Sequence, residues 1–246
     1  MYFDTEWNIM NCYNCGIELT TENKTREHIP AKNLFNGYSD EYKLNRIVIP
    51  ACSACNNQYS QIDQEIRDVI GILNNDNELQ KEVTRQAVKS IMRKNNWVDR
   101  VGNGSQEMQN ISVSFKYSDL KELHLKNFKG VFFHEYNFPL PQNFNLEIIA
   151  EGDEEDPRFV EIKKMIQDYL LHKEWKVSGH IDVFKYRLAM LNLKIESENF
   201  DFSETTNIEN CDLIICEVYY HNIINPVIFA AENKYLAEVV DKTNLS

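Results

Sequence analysis

Residues 49–57 read IPACSACNN, and the fold can be inferred outward from this stretch. The β-branched residues before Pro50 predict a short strand over Arg46–Pro50, because proline ends a strand ladder. A CxxC pair follows at once. Apolar residues then recur at helical spacing from Asn56 to Ile72, so a helix is expected directly after the cysteine pair.

A second CxxC pair stands upstream of this stretch. Cys12 and Cys15 are separated from Cys52 and Cys55 by 36 residues. Two such pairs can bring four thiolates around one Zn²⁺ at about 2.3 Å in a closed structural site. The spacing therefore predicts a zinc-tied unit with a sizeable element inserted between its two cysteine turns.

The insert contains one segment with catalytic potential, Arg26-Glu27-His28-Ile29-Pro30. A lone histidine is usually structural, but here an acid precedes it and cysteine pairs flank the insert. Asn45 follows 17 residues later, just before the predicted strand. A neutral imidazole can accept a proton from water near neutral pH, so His28 is the candidate general base.

Together these segments resemble the HNH endonucleases of the ββα-metal superfamily, over residues 12–69. The closest likeness is to a bacterial subgroup with EHIPxKxLF-like and IPACxxCNN-like segments, matched here by residues 27–35 and 49–57, with Asn45 between them. The resemblance implies a hairpin and a helix held around the zinc.

The resemblance also implies roles for single residues. His28 would be the general base and Asn45 would orient its imidazole. Glu27 and Asn56 would hold one catalytic Mg²⁺ or Mn²⁺, for which oxygen ligands are suited. Hydrolysis would leave a 5′-phosphate and a 3′-hydroxyl.

The sequence departs from the commonest form of the family at two ligand positions. Glu27 stands where aspartate is usual, and Asn56 stands where the second histidine is usual. Asn57 competes with Asn56 for its role. Asp63 or Glu65 could join the cation, although acids on such a helix more often form a solvated face.

Basic residues indicate where a polyanion would bind. Arg67 could reach the scissile phosphate, or could form a surface ion pair with Asp63 or Asp68. A row of basic residues at i,i+4 steps follows on a helix predicted over 77–100. This row is either a phosphate-binding face or the solvent-exposed face of an amphipathic helix. Its members are Lys81, Arg85, Lys89 and Arg93.

The charge is uneven along the chain. Residues 1–130 hold 16 Lys/Arg against 17 Asp/Glu, whereas residues 131–246 hold 10 against 21. A polyanion is therefore expected to bind to residues 1–130. The acidic second half is expected to meet a protein partner or a second copy. The acidic N-terminus and the lack of a long apolar run predict a cytoplasmic protein without a membrane span.

The predicted fold is α+β, with three regions: a zinc-stapled ββα-metal nuclease module over 1–75, a basic helix and linker over 76–105, and an acidic mixed α/β domain over 106–246. The acidic domain is expected to contain a helix near 156–172 and strands over 111–115, 130–136, 145–150, 181–188, 213–220 and 227–230.

The predicted function is metal-dependent cleavage of DNA, in a bacterial or phage defence setting. Two alternatives stay open from the sequence. The unit could be a catalytically inactive zinc-binding module that recruits protein or nucleic acid, or it could be an RNase or single-strand nuclease.

Overall fold

The computed structural model describes residues 10–73, 78–93, 117–150, 153, 156–196 and 199–232. The strand expected at 111–115, the end of the basic helix beyond residue 93 and the linker at 101–105 lie outside these ranges. Within them the chain is a mixed α+β structure, as predicted. None of the described helices is long and apolar enough to cross a membrane.

Helices and strands follow one another in two groups. The first group is β1 Lys24–Ile29, β2 Ile47–Cys52, α1 Ser53–Gln58, α2 Ser60–Leu73 and α3 Glu78–Met92. The second is α4 Tyr117–Tyr136, β3 Phe144–Ile149, α5 Pro157–Leu170, β4 Lys176–Val177, β5 Phe184–Glu196, β6 Asn199–Glu204, β7 Leu213–Tyr220 and β8 Val227–Glu232.

The first group is built on an antiparallel hairpin. β1 pairs with β2 so that Glu27 lies opposite Ile49 and His28 lies opposite Val48. Side chains alternate between the faces of a strand, so Glu27 points into the protein, while His28 shares the other face with the exposed Val48. The helix predicted after the cysteine pair is present as α1 and α2.

The second group is an antiparallel sheet in the order β3-β8-β7-β5-β4, with β6 also paired to β5. Helix α5 covers one face through Ile162, Ile166 and Leu170. The other face packs into the core that contains α4 and the hairpin. Burial on both faces explains why β7 is an almost continuous apolar run.

Helix α4 replaces the strand that the sequence predicted over Gly130–Tyr136. That prediction was wrong because a short apolar run is compatible with a strand or with a helix buried on all sides. Phe128, Val131 and Phe132 are all buried on α4. Gly130 lets the helix approach the hairpin, since a Cβ there would lie 2.4 Å from Ile29 Cδ1.

One hydrophobic cluster joins residues from both groups. It runs from Cys12 and Ile29 to Val218 and Ala230. The domain boundaries at 75 and 105 stay a prediction, but the core beneath the hairpin is shared with the C-terminal sheet.

Candidate metal centre and active site

The two cysteine pairs meet where the hairpin joins α1. After Cys12 the chain turns back, with the Gly16 N–H donating to the Cys12 carbonyl oxygen at 2.9 Å. Gly16 takes φ +72, a left-handed conformation that favours glycine. Cys52 ends β2, and Cys55 lies in the first turn of α1. The first pair thus faces the junction between a strand and a helix.

The four sulfur atoms fit one tetrahedral metal ion. They all lie within 4.8 Å of one another, and the Sγ atoms of Cys15 and Cys52 are 3.9 Å apart. Tetrahedral Zn²⁺ with bonds of about 2.3 Å needs sulfur separations of about 3.8 Å. The cluster can therefore hold Zn²⁺, as the spacing predicted. It is the one such group of three or more potential ligands among the described residues.

Polar residues surround this cluster. Asn14 Nδ2 donates to Cys55 Sγ at 3.4 Å, and Lys129 Nζ on α4 donates to Asn14 Oδ1 at 3.1 Å. A Zn²⁺ ion with four thiolates carries two excess negative charges, so the nearby ammonium group is favourable. The cluster is consequently tied to α4 as well as to the hairpin.

A cavity of about 320 Å³ opens beside the hairpin. We call it the hairpin cavity. It brings together three of the four predicted catalytic residues, Glu27, His28 and Asn56. The residues around it are Arg26, Glu27, His28, Ala31, Lys32, Asn33, Asn56, Ser60 and Asp63.

Asn45 is not among these residues. It precedes β2 with φ 53, its side chain is exposed, and that side chain makes no hydrogen bond within the described ranges. Its role in orienting the imidazole stays a prediction. Asn56 lines the cavity and the exposed Asn57 does not, which favours Asn56 of the two candidates.

A buried ion cluster joins two residues of the cavity lining, Glu27 and Asp63, to Lys126, which does not line the cavity. Lys126 on α4 is 0% exposed, and its Nζ lies 3.1 Å from Glu27 Oε1 and 2.6 Å from Asp63 Oδ2. The same Glu27 oxygen accepts a hydrogen bond from the His28 backbone N–H at 3.2 Å. The expectation that Asp63 belongs to a solvated face was therefore wrong, because this acid is buried against a lysine.

The surroundings shift the protonation of the three acid–base groups. Burial first, and then the nearby charges of Lys32 and Arg46, lower the pKa of His28 to about 4. This is below the ordinary value that the sequence suggested, and the imidazole is neutral near pH 7. Burial raises the pKa of both Glu27 and Asp63, although Lys126 opposes the shift.

The predicted basic residues group around a second cavity, of about 650 Å³, between α2 and α3. We call it the cationic cavity. Its charged lining residues are Arg67, Arg85, Lys89 and Arg93, and Gln64, Gln86 and Ser90 complete it. Lys81 is exposed on α3 but does not line this cavity.

Two of these cations already have acidic partners. Arg67 Nε donates to Asp68 Oδ1 at 2.9 Å, which is one of the two pairings that the sequence offered. Arg85 Nε donates to Glu82 Oε2 at 2.6 Å. Lys89 and Arg93 make no ion pair within the described ranges, so they are the groups best placed to neutralise phosphate.

Lys126 was missed at the sequence level. The sequence gives only a weak signal for it, because residues 121–129 read KELHLKNFK and mix charged, polar and apolar residues. Comparison with protein-family models, with curated proteins and with solved structures gave no match to this chain.

Proposed function

We propose that this protein is a metal-dependent endonuclease of the HNH type that hydrolyses DNA phosphodiester bonds. The observation that carries the proposal is the hairpin cavity, whose lining residues include His28, Glu27 and Asn56. The four-cysteine cluster supports it, because it fixes the end of β2 against the start of α1 beside that cavity.

In the proposed reaction, His28 accepts a proton from the attacking water. The half-buried ring is neutral near pH 7 and can therefore accept a proton, but a pKa of about 4 makes it a weak base in the free protein. The proposal therefore requires the anionic phosphate, once bound beside the ring, to raise that pKa. The His28 backbone N–H donates to Glu27 Oε1 at 3.2 Å, which helps to fix the Glu27 carboxylate beside the His28 backbone. Asn45 would limit rotation of the ring.

Glu27 and Asn56 are the proposed protein ligands of a catalytic Mg²⁺ or Mn²⁺. Both supply oxygen donors, and these are the donors that such hard cations prefer. When bound, the cation would stabilise the charge that develops on the phosphate and on the leaving 3′ oxygen. The side chains of Arg26 and Lys32 at the cavity would hold the phosphate oxygens.

The proposed path of the nucleic acid follows one face of α2. Four residues of this helix share that face at i, i+3, i+4 and i+7 spacing: Ser60, Asp63, Gln64 and Arg67. With 3.6 residues per turn they fall within an arc of about 100°. The first two line the hairpin cavity and the last two line the cationic cavity.

We propose that the two cavities are successive sections of one binding surface along α2. A phosphate backbone bound by Lys89 and Arg93 would continue along α2 to His28. The lining carries charged and polar groups and offers no stack of aromatic rings for base recognition within the described residues, so we propose backbone binding with little sequence specificity.

The test is cleavage of supercoiled plasmid by zinc-loaded protein with Mg²⁺ or Mn²⁺. We expect nicked or linear products with 5′-phosphate ends. His28→Ala should lower the rate by about 10²–10⁴-fold, the usual contribution of a general base. His134→Ala is the matched control, because His134 is exposed on α4 and lies outside the hairpin cavity.

The outcomes separate the proposal from its alternatives. Cleavage that survives His28→Ala with zinc content unchanged would place the chemistry elsewhere. A wild-type protein that holds zinc and never cuts DNA or RNA would be a recruitment module. Faster cleavage of single-stranded DNA or RNA than of plasmid would make it a single-strand nuclease or an RNase.

A further inference from the structure

The buried ion cluster behind the hairpin cavity has more negative than positive charge. Two carboxylates, Glu27 at 4% exposure and Asp63 at 6%, flank the single ammonium group of Lys126. With both carboxylates ionised, one negative charge is left without a buried counterion among the described residues. Buried charges are costly unless they are paired or coordinate a metal.

Each carboxylate also has an oxygen that Lys126 does not use. Glu27 Oε2 and Asp63 Oδ1 are buried and accept no hydrogen bond within the region of the chain that the structure describes. Asn33 Oδ1 is in the same state. Native proteins seldom leave buried oxygens in this condition, so the two carboxylate oxygens indicate a bound group, either a cation or an ordered water, that satisfies them.

These oxygens belong to residues that line the hairpin cavity together with Asn56. Carboxylate and amide oxygens without nitrogen or sulfur form the donor set of Mg²⁺ and Mn²⁺. A divalent cation would reverse the excess negative charge of the cluster. Lys126 cannot do so, because its single charge already lies between the other oxygens of the two carboxylates.

We propose that Asp63 is a further protein ligand of the divalent cation in the hairpin cavity, beside Glu27 and Asn56, and that Lys126 is a positioning residue that holds the two carboxylates. This inference rests on the proposed function, because it concerns the same cation. It enlarges the set of protein ligands by one carboxylate, so that the ligands lie on β1, α1 and α2.

Mn²⁺ binding to the zinc-loaded full-length chain, followed by the EPR signal of free Mn²⁺, tests this without any nucleic acid. Asp63→Asn is the decisive variant. It keeps the volume of the side chain and leaves one carboxylate, Glu27, against one ammonium group, so the remaining cluster is neutral. We expect one Mn²⁺ per wild-type chain and an affinity at least about tenfold lower in Asp63→Asn.

Asp68→Asn is the matched control. Asp68 is another buried acid of α2 paired with a cation, Arg67, but it does not line the hairpin cavity. Its variant should bind Mn²⁺ as the wild type does. Where Asp63→Asn does not fold, Asp63→Glu keeps the ion pair and lengthens the side chain by one methylene, and a changed Mn²⁺ affinity supports the assignment.

Equal Mn²⁺ affinity in the wild type and in the folded Asp63 variant would overturn the inference, as would a wild-type chain that binds no Mn²⁺. In the first case, plasmid cleavage that depends on His28 would leave the proposed function in place. Conversely, Asp63-dependent Mn²⁺ binding by a chain that never cuts nucleic acid would remove the proposed function alone.

Discussion

Replacement of Lys126 by methionine tests the buried ion cluster through stability. Methionine fills a similar volume but removes the charge that Glu27 and Asp63 share. Lys126 is 0% exposed, and among the described residues it is the cation that pairs with both acids. The variant therefore removes the counterion of two buried carboxylates.

The expected loss follows from this burial. Removal of one partner from a buried ion pair costs about 3–5 kcal/mol. For a chain of this size each kcal/mol lowers the melting temperature by roughly 2–4 °C. We therefore expect the zinc-loaded Lys126→Met variant to melt roughly 6–20 °C below the wild type in the absence of added divalent cation.

The loss should depend on pH with a definite sign. Burial already raises the pKa of Glu27 and Asp63, and loss of Lys126 raises both further. A carboxyl group with a raised pKa binds its proton more tightly in the folded chain, so low pH favours the folded state. The difference between variant and wild type should be largest near about pH 8 and smaller near about pH 5.

Thermal and urea unfolding provide the measurements, with Lys121→Met as the matched control. Lys121 lies on the same helix, but its side chain is partly exposed and its ion pair with Asp153 is a surface pair at 3.5 Å, so its loss should cost about 1 kcal/mol or less. Asp63→Asn added to Lys126→Met should restore some of the stability, because one uncompensated charge is removed. Equal melting temperatures for Lys126→Met and the wild type, with no effect of the second substitution, would refute the reasoning.

Three further predictions concern other regions of the molecule. Chelation of zinc, or Cys55→Ser, should lower the melting temperature and abolish cleavage together, because structural zinc contributes about 10–16 kcal/mol to the folding of small zinc units. Zinc analysis and circular dichroism measure the metal content and the fold. Cleavage by a chain that is folded and free of zinc would contradict this prediction. Lys89→Glu combined with Arg93→Glu should weaken DNA binding and reduce the slope of log K against log salt by about 2. Lys164→Glu, on the exposed side of α5, is the control and should leave the affinity and the slope unchanged. Fluorescence anisotropy at several salt concentrations measures both, and an unchanged slope for the double variant would exclude phosphate binding at the cationic cavity. Gly130→Ala should destabilise the chain by about 1–3 kcal/mol, because the added Cβ would lie 2.4 Å from the fully buried Ile29; a variant more stable than the wild type in urea would show that α4 can move away from the hairpin.

The local elements of this structure could be predicted because their signals lie close together in the sequence. Each CxxC pair forms one turn, and the apolar spacing after Cys55 indicates a helix without reference to the rest of the chain. The convergence of the two pairs is confirmed by sulfur atoms within 4.8 Å of one another. Likewise, Asp156 and Pro157 begin α5 as capping chemistry predicts, with Asp156 accepting from the Arg158 N–H at 3.0 Å.

The buried ion cluster of Glu27, Asp63 and Lys126 could not be predicted in this way. Asp63 and Lys126 are 63 positions apart and meet only because α4 crosses behind the hairpin. The run from Gly130 to Tyr136 was expected to be a strand, and that error also hid the face of α4 that carries Lys126. In physical terms, periodicity shows which residues are apolar, but it does not show which buried lysine will meet which buried acid.

The region after residue 105 therefore completes the candidate site, even though no catalytic residue was predicted there. Lys126 balances the carboxylate of Glu27 from one side of the hairpin. Ser178 holds the hairpin where Ile29 on β1 pairs with Ile47 on β2. Its Oγ accepts from the Ile47 N–H at 2.9 Å and donates to the Ile29 carbonyl oxygen. Ile29 directly follows His28 and pairs with Ile47 across the hairpin. The geometry around His28 thus depends on residues after position 105. This acidic region contributes to the candidate site through its own contacts with the hairpin, whether or not it also binds a partner.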